Sequence, residues 1–532
     1  MRMILLATIT GFAALGAWAS AARAAESGAL TLILENGIAP AVENQREGRN
    51  FELELFRKDG QWQKDAWGYA LWFNRADHHG QVQKVEEDAT SLKLEVELKV
   101  EGDKWVKGDK AVYQIELSRD GENYVGTYTG NFNGTEVKGA ARGRMYPLWT
   151  QAPAGFKKPE PGEHPRLIFR KSDMEMLKKR LATPEGKAIM VRILAVIDRN
   201  QANNAKNQPM FPAGYALAYQ LTGNKEYAEK AQDQVEGMLN LGGSQDIHYG
   251  PLALGIALNL DMCYDAWDPE FRQSVIDNLA RRTQNLITGQ GIGTYAPNPW
   301  HNHNGVRAPS AGVAAICLLG EKTSDGKEIE GLDRAIHVLA RDTRRYFSHN
   351  GVTETGWCLE GAFYKRMTWN SGPGHFIHAY KTALGGNMID GWTAAYSMLG
   401  EWMEAPPADK VPAFSLGDHQ SSGLFSVGLV TVPEHMKAGA RWIFDRAYGL
   451  QGNKSFGINW AYEAGYVLMN YPFDVEPKEP SVSLPWAAPD RNGGHYIFRK
   501  PWKDSQDSLL VLHARSGIYG GCHWERSGQT MD

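Results

Sequence analysis

The residues best suited to proton chemistry crowd into one stretch, Tyr295-Ala-Pro-Asn-Pro-Trp-His-Asn-His-Asn-Gly305. Histidine titrates near neutrality and can take or return a proton, and an asparagine amide donates to anionic oxygens. Pro297 and Pro299 cannot continue a helix and bias the residues before them to extended backbone, whereas Val306 to Leu319 is small, apolar and helix-like. The run His301-Asn302-His303-Asn304 is therefore expected where a loop enters a helix. Such a position offers backbone N–H groups and a positive dipole end to an anionic ligand. The same run also reads as a plain helix cap flanked by surface histidines.

Three further stretches concentrate polar groups before or at predicted helix starts. They are Gln245-Asp-Ile-His-Tyr249, with His248 and Tyr249; Glu354 through Tyr364, with Glu360; and His375-Phe-Ile-His378-Ala-Tyr380. His375 and His378 share a helix face and could bind a metal, but without a third ligand in the pattern they read as core or surface residues. Trp357, Phe363 and Trp369 form an aromatic stripe that reads as packing before it reads as a sugar platform. A nucleophilic serine elbow, a phosphate-binding loop and a dinucleotide fingerprint are all missing from the sequence. The groups present suit proton abstraction beside a carboxylate. That chemistry needs a donor to neutralise the carboxylate, a base on the carbon acid and an acid on the leaving oxygen, roles that Asn, His and Tyr can fill.

Those four stretches need a frame. Between Gly28 and Trp149 short alternating segments recur, among them Phe51-Glu-Leu-Glu-Leu-Phe56, Ser91 to Leu98, Ala111 to Leu117 and Tyr124 to Tyr128. With Lys58-Asp-Gly60 and Arg119-Asp-Gly121 as turns, this period-two pattern predicts an antiparallel β-sandwich of roughly eight strands. Residues 151–165 are rich in Pro, Gly and charge and read as a linker. Beyond it the period becomes helical. Ser172 is the expected N-cap, with Glu175 at the capping-box position, of a helix over Asp173 to Leu181. Further helices are expected over Pro251 to Ala266, Gly305 to Leu319, Gly331 to Phe347, Gly374 to Leu384, Asp390 to Gly400 and Val432 to Phe444, among roughly ten in all. Consecutive helical hairpins make an α/α array, an open solenoid or a closed toroid, between which pattern does not decide. His495 to Arg499 and Ser508 to Ala514 read as two strands, so the chain is expected to stop inside a β-domain.

Composition restricts the partners. The 532 residues are 42% hydrophobic and 22% charged with a net charge of −4, a globular balance without the basic footprint of a nucleic-acid binder. Residues 1–24 read as a secretory signal, with Arg2, the apolar run from Ile4 to Trp18 and Ala22-Arg23-Ala24 as the cleavage site. A periplasmic or secreted protein without a membrane span follows. The four cysteines, Cys263, Cys317, Cys358 and Cys522, lack the spacing of a disulfide framework or a zinc site.

Several stretches resemble the heparinase II/III-like and alginate-lyase-like polysaccharide lyases, over roughly Glu163 to the end. His164-Pro-Arg-Leu-Ile-Phe-Arg170 resembles the start of their helical domain, and Leu254 to Trp267 a helix before their active-site loop. Asn302-His303-Asn304-Gly305 is similar to their Asn-His element, and Glu360-Gly361-x-x-Tyr364 to the motif of their catalytic tyrosine. His495 to Arg499 and Gly520 to His523 resemble the opening of their C-terminal β-domain. The resemblance implies that Asn302 hydrogen-bonds a uronate carboxylate, His303 is the base and Tyr364 the acid. His248, Tyr249, His301, Arg307, Glu360 and His523 would line the substrate site, although Trp524-Glu525-Arg526 after His523 departs from the family pattern. It also implies no cofactor and no metal within this chain, the family's structural metal belonging to its β-domain.

The expected architecture is a multidomain α+β chain. It comprises a signal peptide over 1–24, an N-terminal β-sandwich over 25–150, the linker, a central incomplete (α/α) toroid over 166–480 and the start of a C-terminal antiparallel β-sheet domain over 481–532. The expected reaction is β-elimination on an acidic polysaccharide of the alginate or glycosaminoglycan class. Two alternatives stand beside it: a glycoside hydrolase using Glu354, Glu360, Asp246 or Asp418, and a glycan-binding protein without catalysis.

Overall fold

The computed structural model describes residues 28–37, 51–58, 60–70, 78–100, 110–121, 123–147, 152–199, 209–242, 246–288, 302–329, 331–347, 368, 372–388, 426–447, 461–482, 487–490, 495–500 and 508–513. The first eight strands are β1 (Gly28–Leu34), β2 (Phe51–Lys58), β3 (Gln61–Ala70), β4 (His78–Glu87), β5 (Ser91–Val100), β6 (Lys110–Asp120), β7 (Asn123–Phe132) and β8 (Thr135–Pro147). Each pairs antiparallel with the next, and β8 returns to β1, with Gly28 opposite Pro147 and Leu34 opposite Ala141. The result is a closed barrel, which corrects the β-sandwich expected from the alternation. Inward residues such as Leu32, Leu53, Leu94, Val96, Tyr113 and Ile115 fill it. Alternation records only that one face of each strand is apolar, and a sandwich and a barrel share that pattern. The pairing of the first strand with the eighth separates them. Curvature is tight where Gly126 meets β6, since a Cβ there would lie 1.9 Å from the Glu116 carbonyl oxygen.

The helical region that follows contains α1 (Met174–Ala182), α2 (Pro184–Arg199), α3 (Ala213–Thr222), α4 (Lys225–Leu239), α5 (Asp246–Cys263), α6 (Pro269–Thr288), α7 (Asn302–Cys317), α8 (Leu332–Tyr346), α9 (Pro373–Leu384), α10 (Lys437–Ala447) and α11 (Glu463–Asn470). A 3-10 turn over Lys171–Asp173 precedes α1 and contains the expected cap Ser172. Asp173 accepts from the Arg170 amide at 2.8 Å, and Glu175 pairs with Lys178 instead. Three strands, β9 (Ala487–Asp490), β10 (His495–Arg499) and β11 (Leu509–His513), form a small antiparallel sheet in the order β11-β10-β9, one strand more than the sequence pattern predicts. The barrel thus replaces the expected sandwich, and a helical region and a small sheet follow it. The predicted helix over 390–400 lies outside the described residues.

Alternate helices of this region run parallel and touch in sequence order. Gly250 of α5 abuts Ser310 and Val306 of α7, and farther along Cys317 Sγ donates to the Ala257 carbonyl. Gly372 and Phe376 at the start of α9 meet Gly305, Pro309 and Gly312 of α7. His375 and His378 of α9 lie against Tyr466 of α11. Gly465 of α11 meets Leu217 of α3, and Gly214 meets Ala461. Gly255 of α5 closes on Pro209 before α3, and Gln220 donates to the Met262 carbonyl at 2.5 Å. The order therefore runs α3, α5, α7, α9, α11 and back to α3. Glycines recur at these crossings because a Cβ would crowd the neighbouring element, the Phe376 ring at Gly312 and the Pro209 carbonyl at Gly255. All five helices start at one end of the layer and finish at the other.

Candidate functional site

At the starting end, α7 begins with Asn302, so Asn302, His303 and Asn304 form its first turn, inside the helix rather than in a loop before it. All three side chains are buried. Pro309 in the same helix cannot donate to the Gly305 carbonyl, and Gly372 comes against that carbonyl oxygen, where a Cβ would lie 2.7 Å away. Thr368, four residues after Tyr364, is buried against Gly305 together with the Tyr346 ring from the end of α8. Arg307, also buried, donates to the Leu286 carbonyl at 2.9 Å and to Asn304 Oδ1 at 3.0 Å. It braces the first turn of α7 against the end of α6.

The start of α5 lies beside that turn through Gly250. His248 is exposed there, while Tyr249 is buried, accepts from Asn285 Nδ2 at 3.1 Å and lies under the Arg282 guanidinium. Arg282 in turn donates to the carbonyls of Met238, Leu239 and Leu241 at the end of α4, where a cation also suits the helix dipole. The starts of α9 and α11 add groups that the sequence reading underweighted. His375, in the first turn of α9, is fully buried against the rings of Tyr462 and Tyr466. Burial and the neighbouring His378 push it down to about 3 against a smaller upward pull from the Gly372 backbone, so it is neutral. Tyr462, whose ring centroid lies 5.8 Å from that of His375, and Glu463 are buried at the start of α11, and burial raises the Tyr462 phenol further from ionisation. A tyrosine-glutamate pair opening a short apolar helix was the available signal for these two.

The finishing end is built differently. Residues 152–170, expected as a linker and the entry to the helices, cross it in contact with several helix ends. Phe156 abuts Gly385 after α9, and Pro161 abuts Gly320 after α7. His164 Nδ1 meets Asp261 Oδ1 at 2.7 Å, its Nε2 meets Glu321 Oε1 at 3.2 Å, and its ring stacks on Tyr264 at 4.2 Å. Asp261 also accepts from the amides of Arg166 and Leu167 at 2.9 Å each. Arg166 reaches the Leu319 carbonyl at 2.7 Å, and Arg180 the Leu468 and Met469 carbonyls. Burial acts to raise Glu321, but His164, Tyr264 and Arg166 outweigh it and hold the carboxyl below its ordinary value. Tyr264 is pushed up to about 12 by burial and by Glu321.

His164, Asp261 and Cys317 bring potential metal-ligand atoms within 4.8 Å of one another. Their bonding fits a structural network better than an ion. Both Asp261 oxygens accept hydrogen bonds, burial raises the Cys317 thiol well above its usual range, and Arg166 stands 3.8 Å from Glu321. Cys263 is a buried free thiol in the same end of α5.

Of the residues singled out from sequence, the structure brings Asn302, His303, Asn304 and Arg307 together, with His248 and Tyr249 on the adjoining helix. Tyr364, Glu360, His301 and His523 lie outside the described residues, as do the hydrolase candidates Glu354 and Asp418. No protein-family model matches the chain, and a comparison with curated proteins finds no match.

Proposed function

We propose that the chain is a polysaccharide lyase that cleaves a uronate-containing acidic polymer by β-elimination. The observation that carries this reading is the placement of Asn302 and His303 in the first turn of α7, at the end of the helical layer where α3, α5, α9 and α11 also begin. Parallel helix starts present partial positive charge and N–H donors together, an environment that favours a carboxylate. In the proposed reaction the Asn302 amide donates to the uronate carboxylate and so stabilises the charge that develops when the adjacent carbon loses its proton. His303 takes that proton as the base. Tyr364 protonates the glycosidic oxygen as it leaves. Thr368 supports the tyrosine's part, because four residues of chain extend at most about 14 Å and Thr368 touches the turn that carries His303.

An exported protein suits a polymeric substrate, in keeping with the signal-like residues 1–24. No helix among the described residues is long and apolar enough to cross a membrane. Incubation with alginate, heparan sulfate, hyaluronan and pectate tests the proposal. A lyase yields products with the ultraviolet chromophore of an unsaturated uronate on at least one of them. New reducing ends without that chromophore would make the protein a hydrolase, and retention on an anionic-glycan gel without turnover would make it a binding protein.

A further inference from the structure

The outward face of β1 and β2 ought to be solvated. In Phe51-Glu-Leu-Glu-Leu-Phe56 the apolar residues Phe51, Leu53 and Leu55 enter the barrel core, which leaves Glu52 and Glu54 pointing away from it. Yet Glu52, Glu54 and the outward Ala29, Thr31 and Ile33 are all buried. The Glu54 carboxylate pairs with the guanidinium of Arg344, itself fully buried, and that guanidinium lies 6.0 Å from the Phe56 ring centroid. Arg344 belongs to the last turn of α8. Two residues on, the Tyr346 ring closes on Gly305, where a Cβ would lie 2.8 Å from Cε2. Gly305 follows His303 by two residues in the same turn of α7. One continuous path of contacts thus runs from a barrel strand through the end of α8 to the turn that holds Asn302 and His303.

A buried ion pair is a poor source of net stability, because desolvating both charges offsets most of their attraction. It does penalise every arrangement that separates the two groups, since a buried charge then loses its counter-ion. We propose that Glu54 is a positioning residue for the candidate site. By holding Arg344 it fixes the last turn of α8 against the first turn of α7, so the barrel is a working part of the site and not an appended module. The inference rests on the reading of His303 as the base, and its first test is independent of that chemistry.

The test uses the full chain carrying Glu54→Gln, which keeps the shape and removes the charge. Hydrogen exchange followed by mass spectrometry should show peptides covering Asn302 to Val313 exchanging about tenfold faster or more, with peptides covering Leu254 to Cys263 unchanged. Glu54→Arg combined with Arg344→Glu should return the α7 peptides to within about threefold of the wild type. Glu87→Gln is the control, because its bonds to Arg57 and Trp62 lie within the barrel. It should leave α7 exchange alone. In turnover, Glu54→Gln should lower kcat by about tenfold to a hundredfold with KM within about twofold, the signature of a misplaced catalytic group. Unchanged α7 exchange in Glu54→Gln, or equal acceleration in Glu87→Gln, would overturn the proposal. If the exchange results hold and no uronate polymer is cleaved, the positioning role stands and the lyase reading falls.

Discussion

The two ends of the helices α3, α5, α7, α9 and α11 use nearly the same side chains to opposite effect. The finishing end holds His164, Asp261, Glu321, Tyr264 and Arg166, and the starting end holds His303, His375, Glu463, Tyr462 and Arg307. At the finishing end, residues 152–170 bond to Asp261 of α5 and to the Leu319 carbonyl after α7 and pack on Gly385 after α9, and arginines meet carbonyls that helices leave unsatisfied there. At the starting end, His375 is fully buried against the Tyr462 and Tyr466 rings, and no carboxylate or arginine bonds to it among the described residues. Residue type therefore does not distinguish a site from a structural network in this protein. Direction does: a helix finish attracts cations that the chain supplies itself, while a helix start suits an anion that a substrate can bring.

The contrast can be broken most severely at Asp261. Asp261→Ala removes the acceptor shared by His164, Arg166 and Leu167 and should cost about 3–5 kcal/mol of unfolding free energy, measured by urea denaturation. A stable but inactive Asp261→Ala would place chemistry at the wrong end. His303→Ala should do the converse, lowering turnover by about two to four decades while costing clearly less stability than Asp261→Ala. Loss of stability without loss of activity there would make His303 a structural residue.

The histidines of α9 give a pH test, one on each side of the contrast. His378 Nε2 donates to the Ile168 carbonyl at 2.6 Å, and the ring is pushed down to about 4 by burial, against a smaller upward pull from that bond. Both His375 and His378 are less basic folded than unfolded, so the unfolded chain binds more protons below about pH 6.5. Stability is thus complete above that pH and declines as pH falls towards 4, by about 3 kcal/mol for His378 alone. Urea midpoints across this window should fall with pH, and His378→Gln should flatten the slope by about one proton. The smallest expected effect is Tyr264→Phe, which removes the 2.9 Å bond to Glu321 and should cost about 1–2 kcal/mol without altering turnover.

How far these features were legible in the sequence depended on the range of the interaction that creates them. The turns at Lys58-Asp-Gly60 and Arg119-Asp-Gly121 fall between β2 and β3 and between β6 and β7, because a turn is decided by its own few residues. The helix expected over Gly305 to Leu319 is legible in its apolar stretch, but it begins three residues earlier, at Asn302, with Asn302 to Asn304 buried in its first turn. Glu54 on β2 and Glu116 on β6 alternate with apolar residues in the same way. One is buried beneath α8 and the other is exposed, because the partner that covers Glu54 lies 290 residues away in sequence. The segment 152–165 looked like a spacer on its Pro and Gly content, and its contacts with Asp261, Gly320 and Gly385 had no local signature.

Local pattern was sufficient for the kind of element at most positions, for the change from strands to helices near residue 166, and for the concentration of proton-handling groups at His301 to Asn304. Those features follow from side-chain periodicity and backbone preference, which act over a few residues. Closure of β8 on β1, the parallel order of α3, α5, α7, α9 and α11 and the Glu54–Arg344 pair belong to the folded molecule alone. Each depends on which surfaces are buried together, and burial is decided between segments far apart in the chain.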